Sequence, residues 1–312
     1  MRISHDPARC FDPAPRAHGR PCRALLLLLL AGTSAPGMAT GAGAPAAPPT
    51  ASAAHVGVPA GAFAQPQQTI EYHFMLRLPA LAEADLADSF QARVATPLAA
   101  VVGVGKPGRC TLGGYVDSRE RALETHDLIV RVRGGQITVK ARAPSPDRLL
   151  DLPTCSSRKY EVDYFGRPEY SISSEVGFDP GEFGMPLPTT AVDTLWRFVA
   201  GKCPALWERI RPVVGGPGGL QVPGVAHMYA ARADLRRSGA AALKESSLTV
   251  WFFPPTGRSL VELSFTAYVK DRHEADRMHA KLGAALRAAG LLSADQSSKT
   301  QQYFAAYFGP DR

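Results

Sequence analysis

The sequence contains no CxxC pair and no cysteine–histidine spacing of a zinc site. Its five cysteines stand at 10, 22, 110, 155 and 203, and none falls in a ligand pattern. It has no apolar run near the roughly 20 residues that a membrane helix requires. The longest, Ala24 to Ala31, is short even with six consecutive leucines. No internal repeat is present, which excludes a solenoid or propeller. Ser259 and Ser264 stand in no nucleophile-elbow motif, so no serine-hydrolase triad is indicated. Wholesale disorder is excluded too, because 45% of the residues are hydrophobic and 20% charged, ordinary values for a folded chain. The formal net charge of +7 invites a nucleic-acid reading. Five arginines against two aspartates in the first 39 residues carry +3 of it. The +4 left is too small for a polyanion-binding surface, so no nucleic-acid partner is expected.

The uneven charge distribution points to three regions. Residues 1–39 join a basic start (Arg2, Arg9, Arg16, Arg20, Arg23) to a short leucine core and then to small residues. That order describes a secretory signal peptide. Residues 40–67 are rich in alanine, proline and glycine and carry no Asp, Glu, Lys or Arg, the composition of a flexible linker. Residues 68–312 then form the folded domain. The expectation is an exported protein, periplasmic or secreted, with no transmembrane segment once mature. An oxidising compartment favours a disulfide. Cys110–Cys155 is the expected pair, with Cys203 left as a thiol.

Strand patterns dominate the domain. Residues 69–78 (TIEYHFMLRL) alternate Ile70, Tyr72, Phe74 and Leu76 with Glu71, His73, Met75 and Arg77, a period of two. Residues 128–142 (LIVRVRGGQITVKAR) read as a hairpin about Gly134-Gly135. Arg131 and Arg133 share one face of it, and Thr138, Lys140 and Arg142 one face of the return strand. In residues 158–165 (RKYEVDYF), Lys159, Glu161 and Asp163 alternate with Tyr160, Val162 and Tyr164. Residues 247–253 and 259–269 form a later strand pair, with Glu262 and Ser264 on one face of the second. Helices are predicted over 80–98, from a capping pattern at Thr190 to a stop at Gly201, and from Asp271 to Gly290. Residues 211–224 read as a glycine- and proline-rich loop. Trp196, Trp207 and Trp251 read as core. His126, His227, His273 and His279 read as surface. Each charge-bearing strand has one apolar face and one face with charges of both signs. Alternation alone fits two arrangements: an open sheet with a solvated face, or a closed barrel with the charges in its lumen.

The order of these motifs narrows the choice. Tyr115-Val-Asp117-Ser118, then Arg131-Val-Arg133, then Lys140 on the return strand, resembles the CYTH family, the triphosphate tunnel metalloenzymes. Glu71-Tyr72-His73-Phe74-Met75 stands where that family has E-x-E-x-K. Lys159-Tyr-Glu161-Val-Asp163 resembles a later basic-x-E-x-E strand. Glu262-Leu-Ser264, a long helix and Ser298-Lys299 resemble its C-terminal part. The resemblance implies an α+β fold: a closed or nearly closed antiparallel β-barrel tunnel of about eight strands, with helices packed outside. It implies that Arg131, Arg133, Lys140, Arg142 and Lys159, with Arg77 as a stand-in cation, face a phosphorylated anion or polyphosphate. Glu71, His73, Glu161, Asp163 and Glu262 would hold Mg²⁺ or Mn²⁺, and Asp117 shapes a turn. The residue types suit that chemistry, since guanidinium forks match phosphate oxygens and hard divalent ions prefer carboxylates. Three positions depart from the family pattern: His73 for its second Glu, Met75 for its Lys, and Ser264 for a Glu. Two functions follow. One is an exported, metal-dependent triphosphate or polyphosphate phosphohydrolase. The alternative is a non-catalytic, anion-binding envelope protein with the same tunnel.

Overall fold

A computed structural model describes residue 62 and residues 68–179, 192–215, 219–235 and 243–309. The leader, most of the linker and the capping pattern at Thr190 lie outside the described residues. Ten strands form one sheet: β1 (Thr69–Leu76), β2 (Gly103–Pro107), β3 (Thr111–Val116), β4 (Leu128–Arg133), β5 (Gln136–Ala143), β6 (Ser157–Tyr164), β7 (Pro168–Gly177), β8 (Ala226–Asp234), β9 (Leu243–Phe253) and β10 (Arg258–Tyr268). Nine of them run in the ring order β8-β3-β4-β5-β7-β6-β1-β10-β9, and a β8–β9 pairing closes it. β2 lies beside β8 as an extra strand.

The barrel is therefore closed as expected, but it is mixed rather than antiparallel and has nine strands rather than about eight. The two differences share one cause. An odd number of strands cannot alternate direction all the way round a ring, so one neighbouring pair must be parallel. That pair is β1 and β6, with Glu71 beside Asp163. β1 is antiparallel to β10 on its other side, with His73 opposite Ser264.

The hairpin about Gly134-Gly135 forms as its sequence directs. Both glycines have positive φ, 50° and 88°, the twist a two-residue hairpin loop needs, and Arg133 lies opposite Gln136. β9 and β10 pair from Phe253 opposite Arg258.

Helices cover the outer face, except the last, which enters one end of the barrel. They are α1 (Leu86–Phe90), continued by a π turn (Gln91–Ala95) into α2 (Thr96–Leu98), then α3 (Val192–Lys202), α4 (Pro204–Val214), α5 (Arg272–Ala288) and α6 (Lys299–Phe308). α4 corrects the loop expected from residue 211. Pro204 fits its first turn, where the missing N–H has no cost, and Pro212 falls in its last turn. α5 buries Met278, Leu282 and Leu286 on the outward side of β1. There the Tyr72 hydroxyl donates to Asp276 Oδ1 at 2.5 Å. His279 stacks on Phe74 with ring centres 4.6 Å apart, so it is half-buried rather than a surface residue. Cys155 is bonded to Cys203, not to Cys110. This crosslink ties the chain before β6 to the start of α4.

Apolar residues form two separate clusters. The larger lies between the outer wall and the helices, from Ile70, Tyr72 and Phe74 through Val130 and Val139 to Leu282 and Leu286. The smaller lies inside the barrel: Met75, Tyr115, Met228, Trp251, Phe253 and Leu260 pack on Tyr303 and Phe304 of α6.

Candidate active site in the barrel lumen

Paired residues in a sheet share a face, so the register alone assigns the inner wall. Tyr115 lies opposite Arg131, Arg131 opposite Thr138 and Lys140 opposite Ser173. Lys159 also lies opposite Ser173, and Met75 opposite Glu262. These faces enclose a cavity of about 250 Å³, lined among others by Glu71, His73, Arg131, Arg133, Lys140, Arg142, Lys159, Glu161 and Asp163. Ten of the eleven residues singled out in the sequence thus lie on one inner wall, counting Glu262 by register. Arg77 does not. β1 ends at Leu76, and Arg77 beyond it is exposed.

The cavity has a mouth and a floor. Arg133 and Lys159 lie toward the open rim. Below the middle, the inward residues turn apolar, and α6 fills that end. Tyr303 is fully buried and donates to the carbonyl of Gly224 at 2.6 Å. Tyr307 donates to Val225 at 2.5 Å. The helix starts at a reciprocal capping box of Ser298 and Gln301, which fixes where Lys299 enters the lumen. Ser298→Ala should cost about 1 kcal/mol, read as a lowered urea midpoint at constant slope.

At the centre His73 meets three carboxylates. Its Nδ1 is 2.7 Å from Glu262 Oε1, and its Nε2 is 3.7 Å from Asp163 and 3.9 Å from Glu71. Burial opposes the charged ring, but Glu71, Asp163 and Glu262 outweigh it and hold His73 up to about 9. The ring is thus an imidazolium at neutral pH, stacked on Phe165 with centres 4.4 Å apart. Burial raises Glu262, yet Lys299 and His73 bring it down to about 2. The Lys299 Nζ is 3.2 Å from Oε1 of that carboxylate. Asp163 is held well below the usual carboxylate range against its burial by Lys140, His73 and Arg142, with Lys140 Nζ at 2.6 Å. Lys159 Nζ pairs with Glu161 at 2.5 Å.

Arg131 and Arg133 differ from these. Among the described residues no carboxylate lies within ion-pair distance of either. Arg131 has only a 3.4 Å contact from Nη2 to Thr138 Oγ1, and its buried Nε has no partner. Arg133 is pushed below the usual arginine range, first by Arg131 and then by burial. Gly113, opposite Arg133, keeps this space open: a Cβ there would sit 2.7 Å from Met228 Cε and 3.4 Å from Arg133 Cγ.

Glu71, His73 and Asp163 each offer one ligand atom, all within 4.8 Å of one another. One imidazole and two carboxylates fit a divalent ion that accepts nitrogen as well as oxygen, a better match to Mn²⁺ than to Mg²⁺. Such an ion must displace the His73 proton. Asp117 has the turn-shaping role expected of it. Its Oδ1 accepts the backbone N–H groups of Ser118 and Leu123, both at 2.8 Å. Lys299, Tyr115 and Glu175 also line the cavity and were not among the site residues read from the sequence. In the sequence Lys299 stands out only as part of Ser298-Lys299 in the C-terminal resemblance.

The site is thus a charge-lined pocket inside a closed β-barrel, with cations on one arc and an imidazolium amid carboxylates at its base. No family model and no curated protein matches the chain. Solved structures similar to it include an adenylyl cyclase candidate from Hippeastrum described as having a dominant triphosphatase activity, at 13% identity and a TM-score of 0.40, covering 74% of this chain and 93% of that one. An adenylate cyclase candidate from Vibrio parahaemolyticus is similar at 12% identity and a TM-score of 0.34, covering 78% of this chain and 99% of its own. One from Bacillus halodurans gives 10% and 0.34, with 75% and 98% covered. At these TM-scores the likenesses add nothing to what the residues of this chain carry.

Proposed function

We propose that the lumen binds a phosphorylated anion of the tripolyphosphate type and, with a divalent ion on Glu71, His73 and Asp163, hydrolyses it. The observation behind this reading is the unequal pairing of the cations. Lys140, Lys159 and Lys299 are each matched to a carboxylate, whereas Arg131 and Arg133 face the same cavity with none. Arg131 is half-buried and Arg133 exposed at the rim; side by side they repel, and an anion between them relieves that repulsion. In this reading Arg131 and Arg133 grip phosphate oxygens through their forks. Lys140, Arg142 and Lys159 add charge along the anion, while Glu161 and Glu262 orient Lys159 and Lys299. The closed wall and the α6 floor exclude bulk water. When bound, the ion supplies Lewis-acid polarisation of a phosphoryl oxygen. Export to the periplasm or beyond, the reading of the leader in the sequence, would favour inorganic polyphosphate over nucleotide as the ligand.

A second reading, a binder without catalysis, rests on His73, which already satisfies the carboxylates a metal needs. The full chain incubated with tripolyphosphate separates the two. Phosphate release with Mn²⁺, exceeding that with Mg²⁺, is the expected result. A raised melting temperature without release under either ion selects the binder. No release and no thermal shift removes both.

A further inference from the structure

A second group of metal-ligating side chains lies on the outer side of the barrel. Met228 of β8 packs in the inner apolar cluster, so its neighbours His227 and Tyr229 take the opposite face of the strand. Both reach the short 3₁₀ turn Glu83–Asp85 that follows β1. His227 Nδ1 is 2.6 Å from Glu83 Oε1, and the Tyr229 hydroxyl donates to the same oxygen at 2.8 Å. Cys110 stands between β2 and β3, beside β8. There Thr111 lies opposite Met228, and the Gly108 N–H donates to the Ala230 carbonyl at 2.8 Å. A carboxylate oxygen of Glu83, the Cys110 sulfur and a ring nitrogen of His227 all lie within 4.8 Å of one another. Atoms that share one tetrahedral ion stand roughly 3.5 Å apart, so small side-chain rotations close the set. Cys110 is disulfide-bonded, and it is the thiolate, not a disulfide sulfur, that ligates metal.

We infer that Glu83, Cys110 and His227 form a redox-gated site for a divalent ion of the zinc class, closed while Cys110 is in its disulfide and open once a thiol or phosphine reductant has split that bond. Two electrons from the reductant turn the disulfide into two thiols. The ion then takes the Cys110 sulfur as thiolate, releasing its proton, and displaces the proton held between His227 and Glu83. Sulfur, nitrogen and oxygen donors together suit a borderline-soft ion. The lumen group of Glu71, His73 and Asp163 has no sulfur. Tyr229 steadies the Glu83 carboxylate from behind, as outer partners orient metal ligands. The side chains of His227 and Glu83 are 19% and 27% exposed, which leaves an approach from solvent. No sequence spacing announces the site, because its residues come from three separate elements.

The test is a Co²⁺ titration of the full chain, oxidised and again after reduction with a phosphine that is then removed without air. The reduced chain should show a thiolate-to-cobalt charge-transfer band in the near ultraviolet that Zn²⁺ bleaches, and the oxidised chain should show none. An ion in the lumen gives no such band, so the outcome is independent of the anion-binding reading. Cys110→Ser should abolish the band. His227→Ala should weaken Co²⁺ binding more than about tenfold, and Tyr229→Phe about tenfold. Absence of the band in the reduced wild type overturns the inference without recourse to any variant. A band that survives in Cys110→Ser belongs to the thiols of Cys155 and Cys203 and also overturns it. A band that is lost in Cys110→Ser but untouched by His227→Ala shows a thiolate acting alone and refutes the site.

Discussion

Replacing Glu262 with alanine lowers the melting temperature by about 10 °C in metal-free buffer, because breaking a buried ion pair costs roughly 3–5 kcal/mol. Glu262 is 3% exposed and serves two cations, the His73 imidazolium at 2.7 Å and the Lys299 ammonium at 3.2 Å. Its removal strands both in a wall whose other carboxylates are already shared. Double replacement of Glu262 by Gln and Lys299 by Met should recover part of the loss, since the stranded ammonium goes with it. The pH dependence has a definite sign. Folding depresses Glu262 from an ordinary 4.5 to about 2. Its contribution is therefore fully present above about 4.5 and fades as pH falls toward 2. The stability gap between the wild type and Glu262→Gln should be widest near neutrality and close on acidification to pH 2.5. A gap that stayed constant over that range would show that the carboxylate contributes through shape alone.

Legibility in the sequence follows from the period of each signal. The β4–β5 hairpin, β1, β6 and the β9–β10 pair were readable because charge alternates with apolar residues at a strict period of two. That same alternation fixed the inner wall, since a register slip of one residue would turn Arg131 and Lys140 outward. β7 and β8 were missed because their inner faces hold Ser171, Ser173, Ala226 and Met228, which give little contrast with their outer faces. α4 was missed because Pro212 opens a glycine- and proline-rich stretch that reads as loop, although it sits in the last turn of the helix. The parallel β1–β6 contact has no local signature at all, being imposed by ring closure. In the site, alternation grouped ten residues on charged strand faces and the family resemblance turned those faces inward, but their pairing was not legible. That His73 is a cation among three carboxylates depends on strands 90 to 190 residues apart in sequence, Asp163 and Glu262 above all. Lys299 was marked by the resemblance alone and given no role, since it enters from a helix whose own pattern says nothing of a lumen. The departure at Met75 also acquires a physical sense. It faces inward into the apolar floor and packs in one cluster with Trp251 and Tyr303, where an unbranched apolar side chain fits.

Arg131 and Arg133 give the sharpest separation of binding from folding. Changing both to methionine should reduce the affinity for tripolyphosphate more than about 100-fold, since each charged hydrogen bond to phosphate is worth roughly 1.5–3 kcal/mol. The melting temperature should hold or rise. Neither arginine has a carboxylate within ion-pair distance among the described residues, Arg133 is perturbed chiefly by Arg131, and methionine keeps most of the aliphatic stem in place. Lys140→Met provides the contrast. Lys140 neutralises Asp163 at 2.6 Å, and Asp163 is only 2% exposed, so its loss should weaken binding and stability together. The pair of measurements, calorimetric affinity and thermal midpoint on the same samples, distinguishes cations placed for a ligand from cations placed for the fold. A fall in melting temperature for the arginine pair as large as that for Lys140→Met would reassign Arg131 and Arg133 to the structural network and remove the main support for an anion in the lumen.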